Sequence, residues 1–239
     1  MRLKIATKYI FSEMKYPILI FYGIILVMSI LFSVSLTYEH SSFNGMEMIS
    51  AIFLFILGLN SFRKNYLFLL TNGISRKTQF KGFILAIILI TAGMTAIDMV
   101  IGLIWGQLAE YNSAFDQTYH MTLHSPGNVF TAFLWSMSLL LFTLSSGYFI
   151  TTAFYRMPKI VKIFIAIGIP VFFTLILPAI AFRFFSKSFI LMFFNVIGTL
   201  FGVHGGYRPM NAVATFLALT VIFLVFSYLL IRRAPVKEG

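Results

Sequence analysis

The chain is 239 residues long, 59% hydrophobic and only 10% charged, with a mean hydropathy of +0.93. That balance excludes an ordinary soluble domain and describes an integral membrane protein. The formal net charge of +11 would direct a soluble chain toward nucleic acid, but here the sign must first be sorted by membrane side; the absence of cysteine removes any disulfide frame, thiolate metal site or thiol nucleophile.

Met1 to Lys15 is too polar for the apolar core of a secretory signal, and no small-residue cleavage pattern follows the first apolar run, so that run is expected to stay as an anchor. On a helical wheel Leu3, Ala6, Ile10, Phe11 and Met14 gather on one side and Lys4, Lys8, Ser12 and Lys15 on another. The pattern predicts an interfacial helix over residues 1–16, with a frayed basic tail as the alternative. Pro17 suits the first turn of a new helix, and Ile18 to Leu36, free of charge, matches the roughly 20 residues of a span. Thr37 to Gly45, with Glu39 and His40, is short, so Met46 to Ser61 must return as the second span.

The turn from Phe62 to Gly82 carries Arg63, Lys64, Arg76, Lys77 and Lys81 and no carboxylate, which marks a cytosolic loop. Inside it, Tyr66 to Leu70 reads as a short apolar helix stopped at Thr71-Asn72-Gly73, where the backbone can turn left-handed. Phe83 to Ala109 is a third span, long enough to tilt or extend into the cytosol. Ala86, Gly93, Ala96, Gly102 and Gly106 invite close approach of another helix, the last two at GxxxG spacing. Asp98 is read as the one ionisable residue deep within a span: it either lines a cavity or is held by a hydroxyl of a neighbouring helix as structural glue.

Glu110 to Gly127 contains Glu110, Asp116, His120, His124 and Pro126 but no lysine or arginine, which fits the outer face. Asp116, His120 and His124 recur every fourth residue and could meet around a divalent ion, but the ligand set is incomplete and a solvated loop without metal is the expectation. Val129 to Phe154 is the fourth span, whose Ser136, Ser138, Thr143, Ser145 and Ser146 can bond across helices or back to their own backbone. Arg156, Lys159 and Lys162 form the second cytosolic loop. Phe164 to Phe182 is the fifth span, interrupted by Pro170 and Pro178. After Arg183 and Lys187, the run Ser188 to Val203 is only about 16 residues, marginal for a crossing. Asn211 to Ile231 is the final span, followed by Arg232, Arg233 and Lys237.

The marginal run decides the topology. If it dips in and returns as an outer hairpin over 188–209, there are six spans, and of the 18 lysines and arginines only Arg183, Lys187 and Arg208 lie outside. A full crossing would make seven and put Arg232 and Arg233 outside. The positive-inside rule selects six spans in one transmembrane domain over 1–239, both termini cytosolic, and most of the excess charge then faces the inner leaflet without any nucleic acid. No GxxxxGK[ST], HExxH or GxSxG string occurs, so an enzyme, including an ATPase, is not expected in this chain.

A basic amphipathic N-terminal helix, six spans, a helical stub between spans two and three and a re-entrant element between spans five and six together resemble the permease subunits of type-2 ABC exporters. The string Leu69-Leu70-Thr71-Asn72-Gly73-Ile74-Ser75-Arg76-Lys77 is similar to the asparagine-glycine-hydrophobic-serine-arginine phrase of bacterial members that export peptides or confer immunity to them. The resemblance implies a multi-pass subunit of the cell membrane that pairs with a second permease, identical or related. Separate ATPase subunits would supply ATP and Mg, with no cofactor in this chain. It also implies that the stub is a coupling helix over 62–82 that presents Lys64, Tyr66, Leu69, Asn72, Gly73, Arg76 and Lys77 to the ATPase. The outer element would gate the exit with Phe189, Phe193, Asn195, Gly198 and Phe201; its soft aromatic surface suits an amphipathic or lipid-like cargo, and the resemblance implies an amphipathic or antimicrobial peptide or a similar hydrophobic compound. Two readings compete: a proton-coupled secondary transporter using Asp98, and a membrane scaffold that transports nothing.

Overall fold

The computed structural model describes residues 2–36, 43–108, 111–121, 126–177, 179, 183, 187–204 and 206–232. Glu39, His40, Glu110, His124, Pro178, Arg233 and Lys237 lie outside these. The helices are α1 (Arg2–Leu36), α2 (Met46–Asn60), α3 (Phe62–Thr71), α4 (Arg76–Leu108), α5 (Ala114–Tyr119), α6 (Pro126–Arg156), α7 (Lys159–Val171), α8 (Lys187–Leu200) and α9 (Pro209–Arg232). A two-residue parallel bridge joins β1 (Phe43–Asn44) to β2 (Tyr111–Asn112). By length and composition four helices can cross a membrane, α1, α4, α6 and α9, and a fifth crossing follows if α2 and α3, bent by 41°, count as one. The chain is an all-α, multi-pass membrane protein.

The boundary expected at Pro17 is not there: α1 runs unbroken through it. Proline removes one backbone donor and crowds the preceding turn, but packing decides the outcome. Ala6, Ile10, Met14, Tyr22, Ile25 and Ser29 are all buried, a stripe that stays in helical phase across the proline and seats α1 along α4. The two helices come closest where Ala6 meets Gly82; a Cβ there would lie 3.0 Å from that of Ala6. At 35 residues, about 52 Å at 1.5 Å per residue, α1 is longer than a hydrocarbon core of about 30 Å, so its basic first turns project beyond it.

The centre of the bundle is α6, with α2 on one side and α9 on another. The α2–α6 crossing is made by two glycines, each lying against the other helix's backbone: a Cβ on Gly58 would strike the Leu144 carbonyl oxygen, and one on Gly147 the Phe55 carbonyl oxygen. The stripe anticipated along α4 does not form one such seam. Ala86 is buried, but Gly93 faces open space, Ala96 is exposed and Gly102 packs on the Tyr111 ring. GxxxG spacing marks an opportunity for approach, whereas the actual crossing pairs single glycines from two helices. Along α9, Phe223 stacks on Phe142 and Phe149 of α6.

The α6 hydroxyls largely return to their own helix: Ser138, Thr143, Ser145 and Ser146 each donate to a carbonyl three or four residues back. Thr151 instead crosses, donating to the Leu59 carbonyl of α2 at 2.6 Å. The second basic loop is shorter than expected, since α7 already begins at Lys159 with Pro158 as its N-cap. Beyond Pro170 the helix widens into a π-turn, Phe172–Ile176, in which Leu177 N–H donates to the Phe172 carbonyl five residues back. No residue of α7 is buried against the bundle.

If the Gly58–Gly147 crossing sets the α2–α6 distance, Gly58→Ala and Gly147→Ala each lower stability by about 1–3 kcal/mol through overpacking. Gly93→Ala, whose Cβ meets nothing, does not lower it. Thermal unfolding of the purified protein in one detergent measures all three.

Candidate functional site

One end of the bundle is organised by α3. Its inward face, Phe62, Asn65, Tyr66 and Leu69, is buried, while Arg63, Lys64 and Phe68 face outward. Phe62 stacks on Tyr66 at 5.1 Å and meets Tyr148 and Tyr155 of α6 edge-on at 5.6 and 5.3 Å. Tyr148 in turn stacks on Phe83 of α4 at 3.7 Å. Such offset and edge contacts each contribute about 0.5–1.5 kcal/mol beyond the area they bury. On the other flank Phe68 stacks on Tyr9 of α1 at 4.4 Å, and Lys64 is ion-paired with Glu13. The Glu13 carboxylate holds the Lys64 ammonium above the ordinary lysine range.

The stop at the end of α3 is a Schellman turn. Ile74 N–H donates to the Leu69 carbonyl and Gly73 N–H to the Leu70 carbonyl, both at 3.0 Å, with Gly73 at φ 72°. Asn72 stays at φ −84°, so glycine alone takes the left-handed position. Ile74 is buried beside Leu69, the apolar contact this motif favours. Ser75 then caps α4 by accepting from Thr78 N–H at 3.3 Å. Arg76 donates to the Arg232 carbonyl at 2.9 Å, tying the start of α4 to the end of α9. Because α4 starts at Arg76, the loop foreseen over 62–82 shrinks to the turn around Asn72–Ser75.

Of the seven residues expected to face an ATPase, Lys64, Asn72, Gly73 and Lys77 are exposed. Tyr66 and Leu69 point into the bundle, where they and Ile231 line a small hollow, and Arg76 is half-buried in its contact with α9. Tyr9, Glu13, Phe62 and Tyr155 were missed by the sequence reading. An aromatic at each of 62, 66, 148 and 155 was the available signal.

Asp98 is 3% exposed on α4. The Tyr22 hydroxyl of α1 lies 2.7 Å from its Oδ1 and 3.1 Å from the Met94 carbonyl. Its Oδ2 has no hydrogen-bond partner, nor has Ser50 Oγ, buried on α2. The partner foreseen for Asp98 was a serine or threonine of a neighbouring helix; the short bond is made by a tyrosine of α1, and Ser50 of α2 stands beside the same carboxylate. Asp98 is also not alone, for Glu47, in the first turn of α2, is buried too. Glu47 Oε2 accepts from Ala114 N–H at 3.1 Å and from the Tyr111 hydroxyl at 3.4 Å, which fastens the α4–α6 connection to the head of α2. Burial, with Glu47 beside it, pushes the Tyr111 phenol upward.

At the end opposite α3, Ser113 and Asp116 form a capping box on α5. Trp135 Nε1 donates to the Tyr119 hydroxyl at 3.1 Å, and that hydroxyl donates to the Phe201 carbonyl at 2.7 Å. Burial pushes the Tyr119 phenol upward, opposed by the bond from Trp135. The α8–α9 turn is therefore clasped to α5 and α6. His120 stands edge-on to the Tyr207 ring at 5.3 Å, and among the described residues no three metal-ligating side chains gather. Of the residues expected to gate the exit, Phe189, Phe193 and Asn195 are exposed on α8, Gly198 packs under the His204 ring, and Phe201 is half-buried against Phe216 at 5.4 Å.

No family model matches the chain, and no curated protein or solved structure does so either.

Tyr22→Phe removes the donor to a buried carboxylate and is expected to cost about 1–3 kcal/mol, more than Asp98→Asn, which keeps an acceptor for Tyr22. Gly73→Ala forces a Cβ into left-handed backbone and costs about 1–2 kcal/mol. Denaturation in detergent reads both. Lys64 is raised in the folded state, so its pair with Glu13 contributes below the ordinary lysine range and is lost as pH climbs through the raised value. Glu13→Gln should flatten that alkaline limb.

Proposed function

We propose that this chain is the permease subunit of an ATP-driven exporter of the type-2 ABC kind, moving an amphipathic or antimicrobial peptide across the cell membrane. The observation that carries the reading is the seating of α3. Arg63 on its outer edge, with Asn72 and Lys77 just beyond its end, is exposed to a partner, while Phe62 and Tyr66 hold it to α6, Phe68 and Lys64 hold it to α1, and Arg76 after the following turn ties α4 to α9. A force applied to that edge by an ATPase reaches every long helix directly. That is what a coupling element has to do, and the string Asn72-Gly73-Ile74-Ser75-Arg76 forms its tip.

The charge arrangement supports six spans with both termini cytosolic. Contacts at Ala6–Gly82, Phe62–Tyr155 and Arg76–Arg232 gather the basic ends of α1, α4, α6 and α9 at one end, where an anionic inner leaflet would hold them. Between the end of α6 and the opposite-end turn before α9 the chain needs one net crossing, which α7 and its π-turn supply. Helix α8 has 14 residues, about 21 Å and less than a hydrocarbon core, so it serves as the re-entrant outer element clasped by Tyr119. A second copy or a related permease completes the translocation path, and the ATPase partner brings ATP and Mg.

The secondary-transporter reading draws on Asp98 Oδ2, which has no bonded partner. Against it stands the bond from Tyr22, which gives Asp98 a structural task in joining α1 to α4.

Lys77→Glu alters only the exposed tip, whereas Arg76→Glu also breaks the contact with α9. With the proposed ATPase partner co-expressed, Lys77→Glu is expected to lower peptide-stimulated ATP hydrolysis at least tenfold while leaving membrane insertion and thermal stability unchanged. Unaltered hydrolysis and export in Lys77→Glu, or transport by this chain alone in vesicles driven by an ion gradient and abolished by Asp98→Asn, would overturn the proposal.

A further inference from the structure

Helices α1 and α4, held together at Ala6 and Gly82, leave an open groove beside that contact. Its floor is apolar, made by Leu3 and Phe11 of α1 and Leu85 and Leu89 of α4. Leu89 is 58% exposed, so the floor runs straight onto the lipid-facing side of α4. Its rim is cationic: Lys4 and Lys8, one helical turn apart, both line it and both are exposed. No carboxylate lines the groove, and among the described residues neither lysine has an acidic partner, in contrast to Lys64, which is paired with Glu13.

We propose that this groove holds an anionic phospholipid, one acyl chain lying along Phe11, Leu85 and Leu89 and the phosphate held between Lys4 and Lys8. Three occupants would satisfy an apolar floor, and the rim decides between them. A second copy related by two-fold symmetry would bring the same two lysines of each protomer together, a like-charge contact with nothing in the groove to neutralise it. A zwitterionic lipid would set its own ammonium beside the lysines. An anionic headgroup pairs both charges while its chain covers leucine and phenylalanine surface that water would otherwise meet. The depth is right as well: the groove lies at the basic ends of two helices that each exceed the hydrocarbon thickness, so its rim falls at headgroup level and its floor inside the acyl region. The inference needs only that the chain spans a membrane; it is independent of the transport reading.

Lipid binding to the purified protein in detergent can be read by native mass spectrometry and by thermal unfolding, with phosphatidylglycerol and phosphatidylcholine of matched chains as probes. Phosphatidylglycerol is expected to bind the wild type more tightly and raise its melting temperature more than phosphatidylcholine. At about 1 kcal/mol for each lysine, K4Q/K8Q should weaken phosphatidylglycerol by about 30-fold and leave phosphatidylcholine unchanged. R156Q/K159Q, an equal loss of exposed charge at the same end but on α6 and α7, away from the groove, should leave the preference intact. Equal binding of the two lipids, an equal loss in both double variants, or a K4Q/K8Q protein that keeps the preference would overturn the assignment. So would a shift to dimer in K4Q/K8Q, which would give the groove to a second copy.

Discussion

The structure depends on α3 being built into the end of the bundle. A ten-residue helix is too short to be stable alone in water, and this one is held by what surrounds it. Phe62 and Tyr66 fill the space between α4 and α6, Tyr9 lies over Phe68, and the Schellman turn at Gly73 fixes the direction in which α4 departs. Remove that seat and the starts of α1 and α4 and the ends of α6 and α9 lose their common neighbour. The same contacts give α3 neighbours on α1 and α6 at once, which is why the proposed coupling role falls on it.

Within the bundle, close packing has to come from somewhere other than the removal of apolar surface from water, because lipid offers the same apolar surroundings. The answer differs from seam to seam. Between α2 and α6 it is backbone against backbone, made possible by Gly58 and Gly147, with Thr151 adding one bond across the seam. Between α6 and α9 it is stacked phenylalanines. Between α1 and α4 it is Ala6 on Gly82 near one end and Tyr22 on Asp98 farther along, a small-residue contact and a polar contact sharing one stripe. The hydroxyls of α6 that return to their own carbonyls add little between helices, and they avoid the cost of a bare polar atom in an apolar setting.

Much of this was legible in the residues. A lone aspartate in an apolar run, an Asn-Gly pair after a short apolar segment and the sorting of basic residues are signals whose physics is local or one-dimensional. The misreadings share a cause, which is that tertiary packing overrode a local rule. Pro17 looked like the start of a helix, yet the stripe from Ala6 to Ser29 stays in phase through it, and that phase was visible in the sequence had the two halves been put on one wheel. The small residues of α4 looked like one seam because spacing says which residues share a face but not whether a neighbour stands there. Tyr22 as the partner of Asp98, and Glu47 as the anchor of Tyr111 and Ala114, rest on pairings more than 60 positions apart, which no periodicity encodes.

The two ends of the molecule are built on the same plan and are joined by α2 and α6, which meet α3 at one end and α5 at the other. At one end α3 rests on Tyr148 and Tyr155 of α6, with Phe83 of α4 stacked on Tyr148; at the other α5 rests on Trp135 of α6 and, through Glu47, on the head of α2. Tyr119 extends that second seat to the turn between α8 and α9. Helices of this length transmit displacement along their axes with little loss, since each turn is locked by its own hydrogen bonds. A tilt of α6 imposed at the α3 seat must therefore reappear at Trp135, some 20 residues away and about 30 Å along the axis, where it pulls on the bond from Tyr119 to Phe201. The turn preceding α9 is held there by the Tyr119 bond to Phe201, the His120 ring on Tyr207 and the packing of Phe201 on Phe216, the first two linking it to α5 and the third to α9 itself.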